Sequence, residues 1–298
     1  MPWRVGAHAL TRVCLAAAAA GCASPPAGAA ALSAGDTVAG RAALGSRIAL
    51  LTSEPALITA DLDLRTLRRT PIARRAGEPN LWGLGESGGV LHSIAGFSEL
   101  VRIAPDGSAR HTARFQHAMG NLIDTAAGMA AQRAVDNAGT PLAWHVDTSA
   151  GLSPMAGPPR QSLGMSRAEE GALHLLSCSA PPAVVCWLPG SNELLTIDRN
   201  QVFPVARIDT VMPIAPARLI AEPSSRAIQD AVPTGRGTYI VLFREYAQRE
   251  QTVMGEFGAR GERLRVLAAP EPLRLLLGVR DGLIVAIARS GRLVGVPL

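Results

Sequence analysis

From about Gly45 onward the chain shows almost no sustained helical periodicity. Short apolar runs recur instead, each cut off by Gly, Pro, Asp or Asn. A chain patterned this way folds as an all-β sandwich, barrel or propeller. Leu91 to Ile103 reads as two strands around a break at Gly96, and Pro105-Asp106-Gly107 then turns the chain. Leu142 to Val146 is a strand, and so are the runs Val184 to Leu188, Glu193 to Asp198, Val202 to Ile208 and Thr238 to Phe243. Asp281-Gly282 opens Leu283 to Ile287, and Ser290-Gly291 turns into Arg292 to Val296. The runs group into units with the 40-to-50-residue period of propeller blades. The units fall at 46–75, 80–117, 120–158, 162–210, 216–268 and 271–298. The last is short, and a strand such as Ile48 to Thr52 is expected to complete it and remove an exposed edge.

The phrases Glu99-Leu-Val-Arg-Ile-Ala-Pro-Asp-Gly107 and Asp281-Gly-Leu-Ile-Val-Ala-Ile287 resemble the six-bladed β-propellers of the NHL and TolB-like kind. That resemblance spans most of the mature chain and implies a single six-bladed β-propeller over 46–298. A pair of two-sheet sandwiches is the competing fold.

The N-terminus addresses the chain to an envelope. Arg4 and Arg12 make a positive start, Val13 to Ala20 form a short apolar run, and Ala19-Ala-Gly-Cys22 follows. That ending resembles a bacterial lipobox, with Ala19 in place of the usual Leu. The resemblance implies a signal peptide over 1–21, cleaved before Cys22, and a diacylglycerol on the Cys22 thiol with acylation (palmitate) of its amine. The alternative is an ordinary signal peptide with an incidental cysteine. Residues 22–45 lack aromatic residues and periodicity and read as an Ala/Gly/Pro-rich tether. Ala23 in place of Asp implies outer-membrane sorting, facing the periplasm, in a Gram-negative source. No later run of about 18 uncharged apolar residues exists, so lipid is the expected membrane attachment.

With Cys14 removed and Cys22 acylated, Cys178 and Cys186 remain. A pair in an oxidising compartment is expected to be a disulfide, here stapling a hairpin across Pro181-Pro182. A redox-active pair is the alternative, though CxxC spacing is absent.

Charge excludes several functions. All 29 basic residues are Arg, so Schiff-base lysines, P-loop lysines and Ser–Lys dyads are ruled out. Loss of Arg4 and Arg12 reduces the formal charge from +5 to +3, no footprint for nucleic acid. The cluster Arg65, Arg68, Arg69, Arg74 and Arg75 is either an anion- or partner-attracting patch or a solvated strand edge.

Chemistry-bearing residues are sparse. His92, His145 and His174 sit in comparable places in consecutive units, and a propeller could aim them at its central channel, where such a ring ligates metal. The bland reading is ordinary strand-edge hydrogen bonding. Asp124 and Asp230, near the starts of units, could supply carboxylates to a channel mouth, or could satisfy strand-end amides. Glu78-Pro-Asn80-Leu-Trp82 resembles the acidic-Pro-Trp start of six-bladed lactonases, which would hold a channel-bound calcium. That family's later Asp-rich signature is missing. Gly83-Leu-Gly85-Glu-Ser-Gly88-Gly89 opens no helix and reads as turns; Trp82, Trp144 and Trp187 read as packing, or as a sugar- or peptide-binding ring if they share a face.

The expectation is therefore a lipid-tethered propeller, non-catalytic, that binds a protein partner or an envelope polymer. No cofactor, metal ligand or nucleic acid is expected. The alternatives are a periplasmic metal-dependent hydrolase or lactonase with channel calcium, and a solute-binding or sensory lipoprotein.

Overall fold

The computed structural model describes residues 32–33, 36–64, 67–74, 77–133, 141, 143–157, 177–181, 183–187, 193–198, 201–208, 226–245 and 253–298. The signal peptide, Cys22, His174, Arg65 and Arg75 lie outside the described residues. Every regular element among those described is a strand.

The strands form consecutive antiparallel meanders. The first comprises β1 (Val38–Leu44), β2 (Arg47–Thr52), β3 (Ala56–Asp61) and β4 (Leu67–Pro71). The second comprises β5 (Leu81–Ser87), β6 (Val90–Ala95), β7 (Glu99–Ile103) and β8 (Ala109–Arg114). The third comprises β9 (Met119–Thr125), β10 (Gly128–Arg133), β11 (Trp144–Val146) and β12 (Leu152–Pro154). The fourth holds β13 (Ser177–Cys178), β14 (Val185–Trp187), β15 (Glu193–Asp198) and β16 (Gln201–Arg207). The fifth holds β17 (Arg226–Pro233), β18 (Tyr239–Glu245), β19 (Val253–Phe257) and β20 (Arg263–Leu267). The last has three strands, β21 (Leu273–Arg280), β22 (Leu283–Ala288) and β23 (Leu293–Pro297).

Turn chemistry sets these meanders. Gly88 and Gly89 both adopt positive φ between β5 and β6, and Asp281 with Gly282 does the same between β21 and β22. Two successive left-handed residues match the right-handed twist of the strands they join. Inner and middle strands are apolar. The outer strands β4, β8 and β20 are Arg-rich, β8 and β20 largely exposed and β4 half-buried, which discourages edge-to-edge pairing. Of the arginine cluster, Arg68 and Arg69 lie on β4, where Arg69 is held by Asp36 (Nη1–Oδ2 2.5 Å), and Arg74, just beyond it, pairs with Glu78 (3.7 Å).

Six apolar clusters lie between successive meanders and close a ring. Leu51, Leu57, Leu84 and Val101 join the first to the second, and Ile94, Leu100, Leu122 and Met129 the second to the third. Ile123, Ala130, Val184 and Leu195 continue to the fourth, and Trp187, Leu194, Val241 and Phe243 to the fifth. Leu242, Met254, Leu276 and Ile284 reach the last meander, whose Leu277, Val285 and Ile287 pack back on Ile48, Leu50 and Ile58. The fold is a β-propeller.

Three local expectations are corrected. Ile48 to Thr52 does not complete the last meander; as β2 it pairs with β1 and β3, and the ring closes through side chains. Residues 22–45 are not wholly a tether, because β1 is a paired strand and Leu32 is buried in the closing cluster. Small residues in Val38–Leu44 fit a strand where backbones approach closely. Finally, the second and third meanders are not separate sheets. Parallel pairing at Leu84–Ile123 joins β5 to β9 in one eight-stranded sheet, so the described strands make five sheets. Gly83, at φ +69°, permits this approach, since a Cβ there would overlap the Leu122 backbone.

Candidate functional site: the propeller axis

The axis is the place where sequence reasoning put metal or ligand chemistry. β1 occupies it. Gly40 abuts the Gly83–Leu84 backbone of β5, and a Cβ there would overlap it. Ala43 N donates to Asp124 Oδ2 of β9 at 2.6 Å. Arg41 lies over the Trp187 ring of β14 (5.8 Å from centroid), pairs with Asp230 of β17 and donates to Leu276 O of β21 at 3.0 Å. One strand therefore touches all five other meanders.

Arg41 is the centre of this arrangement. Its Nη1 and Nη2 lie 3.2 and 3.1 Å from Asp230 Oδ2 and Oδ1, a two-pronged pairing that suits the planar guanidinium. The Asp230 carboxylate is 0 % exposed and also accepts from Leu276 N (2.7 Å) and Ala231 N (2.9 Å). Burial pushes its pKa up, and the Arg41 charge and the backbone donors pull against that rise. A carboxylate this enclosed persists only because four N–H groups satisfy it.

Among the described residues no cation pairs with Asp124. Its two oxygens accept from Ala43 N and Glu86 N (3.1 Å), tying β9 to β1 and β5. Burial, with a smaller contribution from the Glu86 charge, raises its pKa to about 7 against the opposing backbone donors. Both carboxylates singled out in the sequence thus lie at the axis, and both are spent holding inner strands together.

Of the three histidines, His174 lies outside the described residues and the other two sit away from the innermost strands. His92 lies on β6 and His145 on β11, neither an innermost strand, because equal spacing within units does not guarantee equal strand position. His92 is buried, its Nδ1 has no hydrogen-bond partner among the described residues, and burial, aided by Arg102, lowers its pKa. His145 Nδ1 lies 3.3 Å from Met129 O. Among the described residues no three His, Cys, Asp or Glu side chains gather as a metal cluster.

Cys178 and Cys186 form a disulfide across the paired strands β13 and β14. Cys178 borders a cavity of about 70 Å³ lined also by Val38, Arg41, Asn121 and Ser177. That volume suits a few waters rather than a substrate. Trp82 stacks on Phe97 (5.6 Å), Trp187 is core and Trp144 is partly exposed, so the three indoles form no ring. Sequence reasoning missed Arg41; its one signal is a single charge within a strand of small residues.

No protein-family model matches the chain, and no curated protein does. Solved structures do match. The β-propeller domain of Cps50 (Swd1) from Myceliophteria thermophila is 13% identical, covering 90% of this chain and 98% of that one, with TM-score 0.49. A Bacteroides fragilis protein assigned as exported is 11% identical over 85% and 79%, TM-score 0.49. YCF48 bound to D1 peptide is 10% identical over 88% and 78%, TM-score 0.44. At these values the likeness carries no functional argument, and the propeller assignment rests on the chain's own ring of meanders.

Proposed function

We propose that this chain is an envelope lipoprotein, anchored through acylated Cys22, whose six-bladed propeller is a non-catalytic binding module for a protein partner or an envelope polymer. The observation that carries the reading is the occupation of the axis by β1. Asp124 and Asp230, the carboxylates best placed for a channel metal, are engaged by backbone and Arg41 donors. Recognition then falls to the faces and the clefts between blades. Six blades are supported by the six meanders and the six clusters between them. The anchor is supported by Ala19-Ala-Gly-Cys22, and a spacer before Leu32 would stand the disc off the bilayer.

Two measurements test this. Growth with an alkynyl palmitate should label the protein, and Cys22→Ser should abolish both label and membrane fractionation; unchanged fractionation overturns the anchor. Cross-linking in intact envelopes should trap one recurrent protein or polymer, lost when rim residues are substituted. No recurrent adduct across repeated experiments overturns the binding role.

A further inference from the structure

A cleft between the second and third meanders takes no part in the axis. Its volume is about 320 Å³, the low end of the range for small-molecule sites. Arg114, Gln116 and His117, at the end of β8 and the connection into β9, line one side. Trp144 on β11, with Ser149 and Leu152 of the β11–β12 hairpin, lines the other.

Three observations point to a ligand of defined chemistry. First, among the described residues the lining holds the Arg114 guanidinium, with His117 beside it, and no carboxylate. Arg47, Arg69, Arg265 and Arg292 each sit on an acid, whereas among the described residues no ion pair holds Arg114 or His117. Second, the hairpin wall is fixed. Asp147 Oδ1 accepts from Ser149 N (2.8 Å), Ser149 Oγ (2.6 Å) and Gly151 N (2.8 Å). Ala150 is held at φ +63°, a conformation that disfavours a residue with a Cβ and that collects at binding sites. Third, a partly exposed indole shares the cleft with an amide and a hydroxyl, which together suit a ring with an apolar side and hydroxyl substituents.

We propose that this cleft binds an acidic sugar, a pyranose bearing a carboxylate. Arg114 takes the carboxylate, Trp144 lies against the ring, and Gln116 and Ser149 meet its hydroxyls. Ser149 Oγ already donates to Asp147, so it accepts from the sugar. A volume near 320 Å³ holds one ring with its carboxylate and not an extended peptide. The proposal rests on the binding-module reading and narrows its envelope polymer to an acidic glycan.

The test is calorimetric titration of the purified full chain, in mild detergent, with sodium D-glucuronate, D-glucose and an acetylated Ala-Glu dipeptide. Glucuronate should bind saturably and about tenfold or more tighter than glucose, as one charge-assisted pair implies. Arg114→Gln, an exposed change, should bring glucuronate down to the glucose level and leave glucose binding unaltered. Trp144→Leu should weaken both sugars; because Trp144 also packs on the core, Gln116→Ala provides a second, exposed variant that should weaken both. Four results overturn the proposal: no saturable glucuronate binding, equal affinity for glucose, wild-type affinity in Arg114→Gln, or tighter binding of the dipeptide. The titration uses purified protein and a free monosaccharide, so its failure is distinct from failure to find a partner in cross-linked envelopes.

Discussion

Removing the Asp230 carboxylate should be among the most damaging single changes to this fold. Asp230→Ala takes away both oxygens facing Arg41, together with the acceptors for Leu276 N and Ala231 N. Stripping one partner from a buried ion pair costs about 3–5 kcal/mol. Arg41 keeps Leu276 O and the Trp187 ring, which moderates its loss. Each orphaned buried N–H adds about 1–3 kcal/mol, and these costs are not additive, so a total of about 5 kcal/mol is expected. Arg41→Met should cost less, about 2–3 kcal/mol, since Asp230 can then take a proton while keeping its two backbone donors. The double variant should recover about 2 kcal/mol relative to the sum of the singles. Urea unfolding followed by tryptophan fluorescence measures all four proteins, and Trp187 beneath Arg41 reports the axis directly. Should Asp230→Ala not accumulate, Asp230→Asn with Arg41→Met completes the cycle. Additivity within about 0.5 kcal/mol, or a loss below about 1 kcal/mol for Asp230→Ala, would refute the hub.

Three further outcomes are expected. The pKa of Asp124 is raised from 3.8 to about 7, so between those values the folded chain holds a proton that the unfolded chain has released. Its contribution is therefore full below 3.8 and lost as pH rises through 7, on the order of 4 kcal/mol at most; denaturation midpoints should fall over that window, and an unaltered slope in Asp124→Asn would count against the assignment. Gly83→Ala combines a left-handed φ with backbone overlap and should cost about 3 kcal/mol or more, whereas Gly45→Ala, left-handed but in open space, should cost about 1–2 kcal/mol by the same unfolding assay. Equal losses would mean that β5 does not pack on β9 as described. Opening the Cys178–Cys186 bridge, which spans a sequence separation of 8, should cost about 2–3 kcal/mol in paired melts of oxidised and reduced protein, and no difference would deny the bridge a structural role.

The strands legible in the sequence were those whose apolar runs end in turn residues with a conformational reason to be there. Asp281-Gly282 and Pro105-Asp106-Gly107 mark turns because their residues tolerate left-handed or tight backbone, and the strands flanking them follow. The cysteine pair was legible from counting once the leader resemblance set Cys14 and Cys22 aside and implied an oxidising compartment. β1 was not, because Val38-Ala-Gly-Arg-Ala-Ala-Leu44 is neither strongly apolar nor alternating. Its burial comes from distant backbones, Gly83 and Leu84 above all, which no local pattern reveals. Asp124 and Asp230 stood out because they lie near the starts of units. Their roles depend on Ala43 N and Arg41, supplied by that same overlooked strand. His92 and His145 fall on β6 and β11 rather than on innermost strands, because a period of blades fixes the repeat but not which strand of a blade a residue occupies. The basic cleft was invisible for a related reason, being assembled from a β8–β9 connection and a separate hairpin.

The most direct test of an axis filled by the protein itself is elemental analysis of the full chain purified without chelator from its native envelope. The account predicts no stoichiometric calcium or transition metal, in the wild type and in Asp124→Asn alike. One equivalent of metal, lost on substitution of Asp124 or Asp230, would contradict it and turn the axis into a catalytic centre.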